Sequence, residues 1–204
     1  MTIPALLGHF GINHARYVTT GGRIVFEGVE KDASANYSHP EYGHVTPVNT
    51  HRFHDGIEET DHGTSGDKWW IDEVQIAKHV DAMSNSFPDF IYMPGTDDLS
   101  PSWYGEIDTG RGKFRILVVL RSDRGLPFVK VLGVRLGTAR GRRWESAPHM
   151  YLNGNLCIAD SLDWDADRDT AVTAVAWTCH WLAAYTEWRI TRKWPVEGVE
   201  NDAA

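Results

Sequence analysis

The sequence has little cysteine: only Cys157 and Cys179 occur among its 204 residues. Two cysteines cannot build the disulfide framework of a small secreted domain, and thiols that stay reduced are available as nucleophiles. The chain also has no apolar run near the roughly 18 residues that span a bilayer. Its first residues, MTIPALLGH, lack the basic and apolar regions of a secretory signal. We therefore expect a cytoplasmic protein with no membrane partner.

Basic residues are in the minority, since 28 acidic residues outnumber 20 basic ones and give a net charge of −8. That balance argues against general nucleic-acid binding. Hydrophobic residues make up 42% of the chain and charged residues 24%, which is typical of a globular protein. We predict an N-terminal extension over residues 1–64 and one main domain over residues 65–204.

The predicted extension holds seven of the ten histidines in the chain. Residues 16–27 have the β-branched and aromatic pattern of a hairpin that turns at Gly21-Gly22. The extension also contains a group of side chains with zinc-ligand chemistry: His51, His54, Asp55, Asp61 and His62. No cysteine joins this group, so we favour solvated loop histidines over a zinc site, and we expect neither a metal nor another cofactor.

The main domain is predicted to have an α+β fold. Residues 67–83 have apolar side chains at three- and four-residue intervals, which predicts a helix capped by Asp67. Residues 84–101 contain three prolines and are predicted to be a connecting loop. Short glycine-containing turns then join three strands of an antiparallel meander, over residues 103–108, 113–121 and 127–136. A long helix over residues 167–193 follows, with Cys179 on its buried stripe.

Residues 147–164 separate the meander from the long helix and contain the other cysteine. Asn153-Gly154 is a strong turn signal because both residues tolerate positive φ. The turn is expected to carry Leu156 inward and to present Cys157 at a corner that a partner can approach. The alternative is that Cys157 is a small buried hydrophobic residue, as many free cysteines are.

The order of residues in this loop resembles the ubiquitin-conjugating (E2) enzymes. In that family a turn, an aromatic residue, a glycine and an apolar residue precede the catalytic cysteine, and a tryptophan follows it. The matching residues here are Pro148, Tyr151, Gly154, Leu156, Cys157 and Trp164. A second likeness is Asp97-Asp98-Leu99 followed by Trp103, Gly105 and Ile107, which resembles the first-strand signature of the family. Two positions depart from the pattern: Ala147 replaces a histidine, and His149 replaces the asparagine that supports the oxyanion.

The resemblance implies a UBC/E2-like fold with an N-terminal helix, an antiparallel β-meander, a cysteine loop, a long C-terminal helix and a shortened C-terminus. It further implies a bacterial E2-like protein of an antiphage conjugation system, of the CBASS or Bil type. In such a system Cys157 would form a thioester with the C-terminus of a ubiquitin-like modifier or of a cGAS-like nucleotidyltransferase. An E1-like activating enzyme and a target protein bearing a lysine are the further partners.

Three other residues receive roles through the same resemblance. His149 is predicted to donate a hydrogen bond to the oxyanion in place of asparagine, and Asp160 or Asp163 to orient or deprotonate the incoming lysine. For His149 the alternative is a residue that braces the loop through the backbone.

Basic residues are concentrated between residues 111 and 143, where ten lysines and arginines accompany one acid, Asp123. We favour a solvated face of the sheet and its loops. The alternative is a surface for an acidic partner centred on Arg140-Gly-Arg-Arg143.

Two other classes of function remain open at the level of sequence. One is a catalytically silent E2-fold adaptor, similar to RWD domains, against which the retained Cys157 argues. The other is a Cys-His hydrolase that pairs Cys157 with His44 or His54, which would need an oriented triad that the sequence does not display.

Overall fold

The computed structural model describes residues 15–54 and 68–199, and it has an α+β architecture within them. The two α-helices are α1, Glu73–Ser86, and α2, Ala171–Thr191. The strands that precede α1 are β1 Tyr17–Thr19, β2 Ile24–Val25, β3 Glu30–Lys31, β4 Tyr37–His39, β5 Gly43–Pro47 and β6 His51–Arg52. The strands that follow α1 are β7 Ile91–Met93, β8 Ser102–Asp108, β9 Lys113–Val119, β10 Phe128–Leu132, β11 Gly137–Arg140, β12 Arg143–Ser146 and β13 Gly198–Val199.

The central sheet is antiparallel and has the order β10-β9-β8-β7. Alternate residues of its strands point to opposite faces, so each strand buries every second side chain. Trp103 and Ile107 of β8 and Ile116 and Val118 of β9 are almost completely buried. They belong to the same core as the long helix α2, most of whose residues are buried. This core places the loop that follows the sheet directly against α2.

A second antiparallel sheet is built from residues 17–47, with the order β2-β1-β5-β4-β3. The turn between β1 and β2 contains Gly22, whose φ is +95°. A Cβ atom at this position would lie 2.6 Å from Cγ2 of Ile107 and 3.3 Å from Sγ of Cys179. Glycine therefore allows this hairpin to lie against the main core, to which Val18 of β1 also belongs.

The end of the described chain returns to residues 49–54, a segment that we call the strap. β13 pairs with β6 in antiparallel register, Val199 opposite His51. The Phe53 amide donates a hydrogen bond to the carbonyl of Glu197 over 2.8 Å. Phe53 and Val199 are both buried in the common core, so the strap is fixed along its length.

The first helix begins later than the sequence predicts. Asp72 is its cap, because its carboxylate accepts hydrogen bonds from the amides of Val74 and Gln75. The predicted cap, Asp67, lies outside the described residues. A 3₁₀ turn, Trp69–Ile71, precedes the helix. Its apolar side chains continue the apolar spacing of the helix, which is why the sequence predicts an earlier start.

The predicted loop over residues 84–101 is wrong in two places. Helix α1 continues to Ser86, and residues 91–93 form β7, which pairs with β8. The Asp97-Asp98-Leu99 signature therefore precedes the second strand of the sheet rather than the first. A three-residue edge strand between two prolines gives too little alternation to be seen in sequence.

The predicted third strand, over residues 127–136, is longer than the observed one, and a hairpin follows it that the sequence did not predict. β10 ends at Leu132, and Gly133 follows with φ +75°, a conformation that breaks the strand. Residues 137–146 then form the β11–β12 hairpin, whose tip is Gly141-Arg142. Its Gly137 amide bonds to the hydroxyl of Tyr185 on α2 over 3.1 Å. The basic loop of the sequence is thus the tip of an anchored hairpin.

Helix α2 is shorter than predicted at both ends. The carboxylate of Asp169 accepts from the Asp165 amide over 2.8 Å, which holds residues 165–169 in a turn before the helix. His79 of α1 accepts from the Ala171 amide over 3.1 Å and so satisfies a donor at the first turn of α2. Arg192, with φ +62°, ends the helix. No helix in the described ranges is long and apolar enough to cross a bilayer.

Candidate functional site

The cysteine loop closes on itself before it reaches Cys157. Met150 and Leu156 form an isolated antiparallel bridge, and the turn between them uses Gly154 with φ +85°. The Leu156 amide donates to the carbonyl of Val129 over 2.8 Å, which fastens the loop to β10. Leu156 points into the core as predicted. The next residue, Cys157, therefore has a position fixed from both sides.

Cys157 is not presented at an open corner, because its relative exposure is 0%. Its Sγ donates to the backbone carbonyl of His54 over 3.0 Å. Its amide donates to the carbonyl of His149, also over 3.0 Å. The expectation of an accessible thiol is thus wrong for this conformation, since the strap lies across the sulfur.

His149 contacts the same carbonyl as the thiol does. Its Nδ1 lies 3.2 Å from the oxygen of His54. A carbonyl oxygen can only accept, so Nδ1 of His149 carries a proton and donates to it. The Cys157 sulfur and a ring N–H of His149 therefore meet at one oxygen atom.

The backbone and the ring of His149 are both fixed by neighbouring groups. Its φ of +53° is in the left-handed region, which is uncommon for residues other than glycine. Its carbonyl accepts from the indole of Trp181 on α2 over 3.0 Å, in addition to the Cys157 amide. Its ring packs against Phe53 and Trp194, with centroid separations of 5.5 and 4.9 Å. The loop-bracing role and a place beside the thiol are therefore combined in one residue.

Asp160 joins this group through the strap. One oxygen of its carboxylate accepts from the Leu162 amide and caps a short 3₁₀ turn, Ser161–Asp163. The other oxygen lies 3.5 Å from Nδ1 of His54. Its own amide donates to the carbonyl of Arg52 over 2.8 Å. Asp160 thus positions His54 rather than the sulfur.

Asp163 has a different neighbour. Its carboxylate accepts from the Arg52 amide over 2.7 Å. The two aspartates therefore hold the strap at Arg52 and His54, because Asp163 contacts Arg52 and Asp160 contacts both residues. Sequence reasoning placed them near an incoming lysine and missed this bond to the strap, for which a separation of 111 residues leaves no local signal.

His51 and His54 of the zinc-ligand group have other partners, and the expectation of a solvated loop histidine is wrong for His51. His51 is completely buried, and its Nδ1 donates to the carbonyl of Asn49 over 2.9 Å. Its Nε2 then accepts from Nδ1 of His180 over 3.2 Å. Burial lowers the pKa of His51 to about 4, so the pair is neutral. Asp55, Asp61 and His62 lie outside the described residues, and within residues 15–54 and 68–199 no three side chains of ligand type converge.

Neither of the two histidines considered for a Cys-His hydrolase places its imidazole ring at the thiol of Cys157. His44 lies in β5, opposite Ser38. His54 meets Sγ with its backbone carbonyl, while its ring is directed to Asp160. The second cysteine, Cys179, is buried in α2, and burial raises the pKa of its thiol well above the ordinary value.

An α+β domain whose cysteine loop joins an antiparallel sheet to a long helix is compatible with an E2-like fold. A sequence-family model described as Type II CBASS E2 protein matches residues 79–201, which is more than half of the chain. The chain therefore belongs to the type II CBASS E2 family, and this membership indicates a role in the CBASS antiphage system. The Bil-type alternative is not part of that match. No curated protein and no solved structure matches the chain.

Proposed function

We propose that the protein is an E2-like conjugating enzyme in which Cys157 carries the thioester. The acyl group comes from the C-terminus of a ubiquitin-like modifier or of a cGAS-like nucleotidyltransferase, and it passes to a lysine amine of a target protein. The observation that carries this proposal is the oxygen of His54, which accepts from Sγ of Cys157 and from the ring N–H of His149.

That oxygen occupies the place that a reacting carbonyl needs. An oxyanion-forming carbonyl must lie beside the nucleophilic sulfur and within hydrogen-bond reach of a fixed donor. His149 provides such a donor, since its backbone and its ring are both fixed by neighbouring groups. When the strap moves aside, a substrate carbonyl takes over the position of the His54 carbonyl.

In the first half-reaction the sulfur of Cys157 attacks the carbonyl carbon of a C-terminus that an E1-like partner has activated. The proton of the Cys157 thiol passes to the activating group as that group departs. A C–S bond forms as the activating group leaves with its electron pair. The Nδ1–H of His149 is assigned to the oxyanion of the second half-reaction, which forms when a lysine amine attacks the thioester.

In the second half-reaction the sulfur of Cys157 is the leaving group instead of the nucleophile. A lysine amine attacks the thioester carbon, the C–N bond forms, and the Cys157 thiolate leaves. The amine proton passes to a base, and we assign this role to Asp160, whose carboxylate contacts the strap residue that covers Sγ. Asp163 contributes through the strap backbone.

A second candidate function is favoured by one observation. Complete burial of Cys157 suits a silent E2-fold adaptor, whose cysteine is only a core residue. An adaptor would bind the same partners without a covalent step.

Loading of the purified protein distinguishes these functions. The protein is incubated with an activated, protease-resistant thioester of the modifier or nucleotidyltransferase C-terminus, and the products are separated without reductant. A conjugating enzyme gains an adduct that Cys157→Ala abolishes, an adaptor gains none, and a hydrolase releases the free acid. Absence of the adduct from folded wild-type protein would reject the proposal.

A further inference from the structure

A cavity of about 280 Å³ lies between the C-terminal half of α2, the β1–β2 hairpin and the segment after α2. Its described lining includes no residue of the cysteine loop. Most of its wall is apolar and comes from Ile24, Phe26, Ala183, Ala184, Pro195 and Val196. Its volume is near the lower end of the range found for pockets that hold small organic ligands, about 300 to 1,000 Å³.

Two arginines line this cavity, and they differ in their partners. Arg111 is paired with the carboxylate of Glu187, which also lines the cavity. Arg16 has no ion pair with any carboxylate of residues 15–54 or 68–199, and its Nη1 is buried without a hydrogen-bond partner. Its guanidinium carbon is 6.0 Å from the ring centre of Phe26. Burial lowers the pKa of Arg16 below its ordinary value.

The remaining polar neighbours do not neutralise Arg16. His180 is buried at the cavity wall, and its Nδ1 donates to His51. Burial, with His51 and Arg16 nearby, holds the pKa of His180 well below the ordinary value, so its ring is neutral. The cavity thus contains one cation whose charge is not balanced by a described neighbour. A buried donor without an acceptor destabilises a fold, which makes such a donor typical of a site that meets its acceptor in a ligand.

We propose that this cavity binds a small monocarboxylate with an apolar body. The carboxylate pairs with the planar guanidinium of Arg16, which matches its geometry with two parallel hydrogen bonds. The apolar body packs against the walls formed by the β1–β2 hairpin and α2. A single uncompensated cation suits one negative charge, whereas a doubly charged phosphate beside Glu187 would remain half neutralised. This proposal is independent of the chemistry of Cys157.

Octanoate is a suitable probe, and calorimetric titration of the full chain measures its binding. Octanol and octylamine serve as matched ligands that keep the chain and remove or reverse the charge. The key variant is Arg16→Met, which keeps the length and apolar part of the side chain. Arg23→Met is the matched control, because Arg23 lies on the same hairpin and does not line the cavity. Ala183→Leu leaves Arg16 in place and fills the cavity.

The proposal predicts that octanoate binds the wild type and Arg23→Met alike. Arg16→Met should bind at least about tenfold more weakly, as expected for loss of a charge-assisted hydrogen bond. Ala183→Leu should lose binding, and octylamine should not bind any variant. Without ligand, the melting temperature of Arg16→Met should equal or exceed that of the wild type.

Three results would overturn the proposal. The first is undetectable octanoate binding by the wild type at millimolar concentrations, and the second is equal affinity in Arg16→Met. The third is a lower melting temperature of Arg16→Met, which would make Arg16 a structural residue. Arg16→Lys, which keeps the charge and loses the planar fork, is a second variant and should bind octanoate several-fold more weakly. Unchanged affinity of Arg16→Lys would count against the carboxylate pairing.

Discussion

The sulfur of Cys157 lies 3.0 Å from the backbone carbonyl of His54, a residue 103 positions earlier in the chain. This contact closes the strap over the thiol. The strap is held there because Arg52 accepts a hydrogen bond from the Asp160 amide and donates one to the Asp163 carboxylate. The matched family region starts at residue 79, so the strap is a feature of this chain outside that match. Under the proposed function, the strap has to open before Cys157 can be acylated.

The first prediction concerns how fast the thiol becomes accessible. Asp163→Ala removes the acceptor of the Arg52 amide and should destabilise the closed strap. A hydrogen bond to a charged group contributes about 1.5 to 3 kcal/mol, so the rate of Cys157 alkylation should rise roughly tenfold to a hundredfold. Alkylation by iodoacetamide, followed by intact mass in a Cys179→Ala background, measures this rate.

Asp89→Ala is the control for that experiment, because Asp89 is an exposed aspartate in the loop after α1. It should leave the alkylation rate unchanged. Equal rates in Asp163→Ala and the wild type would show that the strap bond does not limit access to the sulfur.

The second prediction separates the two roles of His149. His149→Asn keeps a donor and tolerates positive φ, whereas His149→Ala removes the donor. Loss of one oxyanion donor typically slows a reaction about 100- to 1,000-fold. His149→Ala should therefore slow lysine attack on the preloaded thioester more than it slows loading, and His149→Asn should recover part of the rate. Single-turnover discharge of the preloaded enzyme onto free lysine, compared with the loading rate of each variant, measures the two steps. Equal losses in both steps with a lower melting temperature would leave only the loop-bracing role.

The third prediction is a loss of stability in mild acid. Burial lowers the folded-state pKa of His51 and of His79 to about 4, below the ordinary value of 6.5. Between these values the unfolded chain binds protons that the folded chain does not. The contribution of these histidines to the free energy of unfolding should be fully present above about pH 6.5. It should fall as the pH decreases towards 4, by up to about 1.4 kcal/mol per pH unit for each such imidazole.

Urea unfolding between pH 4 and 7 measures this dependence. His79→Gln should flatten it, since glutamine can accept from the Ala171 amide without titrating. A midpoint that does not change with pH in the wild type would contradict neutral burial of these histidines.

The fourth prediction concerns the tip of the β11–β12 hairpin. Arg140, Arg142 and Arg143 are exposed there, and Arg135 lies over the ring of Trp144 at 4.8 Å. If an acidic partner binds this tip, reversal of the three tip arginines to glutamate should slow loading at low salt and reduce its salt dependence. Reversal of Lys130, which is exposed on β10, is the control. Unchanged loading after the triple reversal would show that the tip is a solvated face and not a binding surface for the acidic partner.

Local sequence patterns predicted the long elements because each has its own periodicity. The alternation of β8 and β9 and the apolar character of α2 are visible without tertiary information, although α2 is buried on more than the one predicted stripe. β7 and the β11–β12 hairpin escaped prediction because strands of three and four residues are stabilised by their neighbours rather than by their own pattern.

The candidate site also has one part that local sequence patterns predict and one part that they do not. The Asn153-Gly154 turn and the inward Leu156 follow from local backbone preferences. The cover over Cys157 does not, because His54 contributes a backbone carbonyl, and every residue carries one. The pairing of β6 with β13 and the two aspartate contacts help to bring that carbonyl to the sulfur, and all of them join residues far apart in the sequence.

The most direct test of the account is the intact mass of the protein after loading, with and without reductant. We predict a reductant-sensitive adduct on the wild type and on Cys179→Ser, and a reductant-resistant oxyester on Cys157→Ser. Cys157→Ala should remain unmodified. A reductant-sensitive adduct that survives Cys157→Ala would contradict the account, because it would place the thioester on another residue.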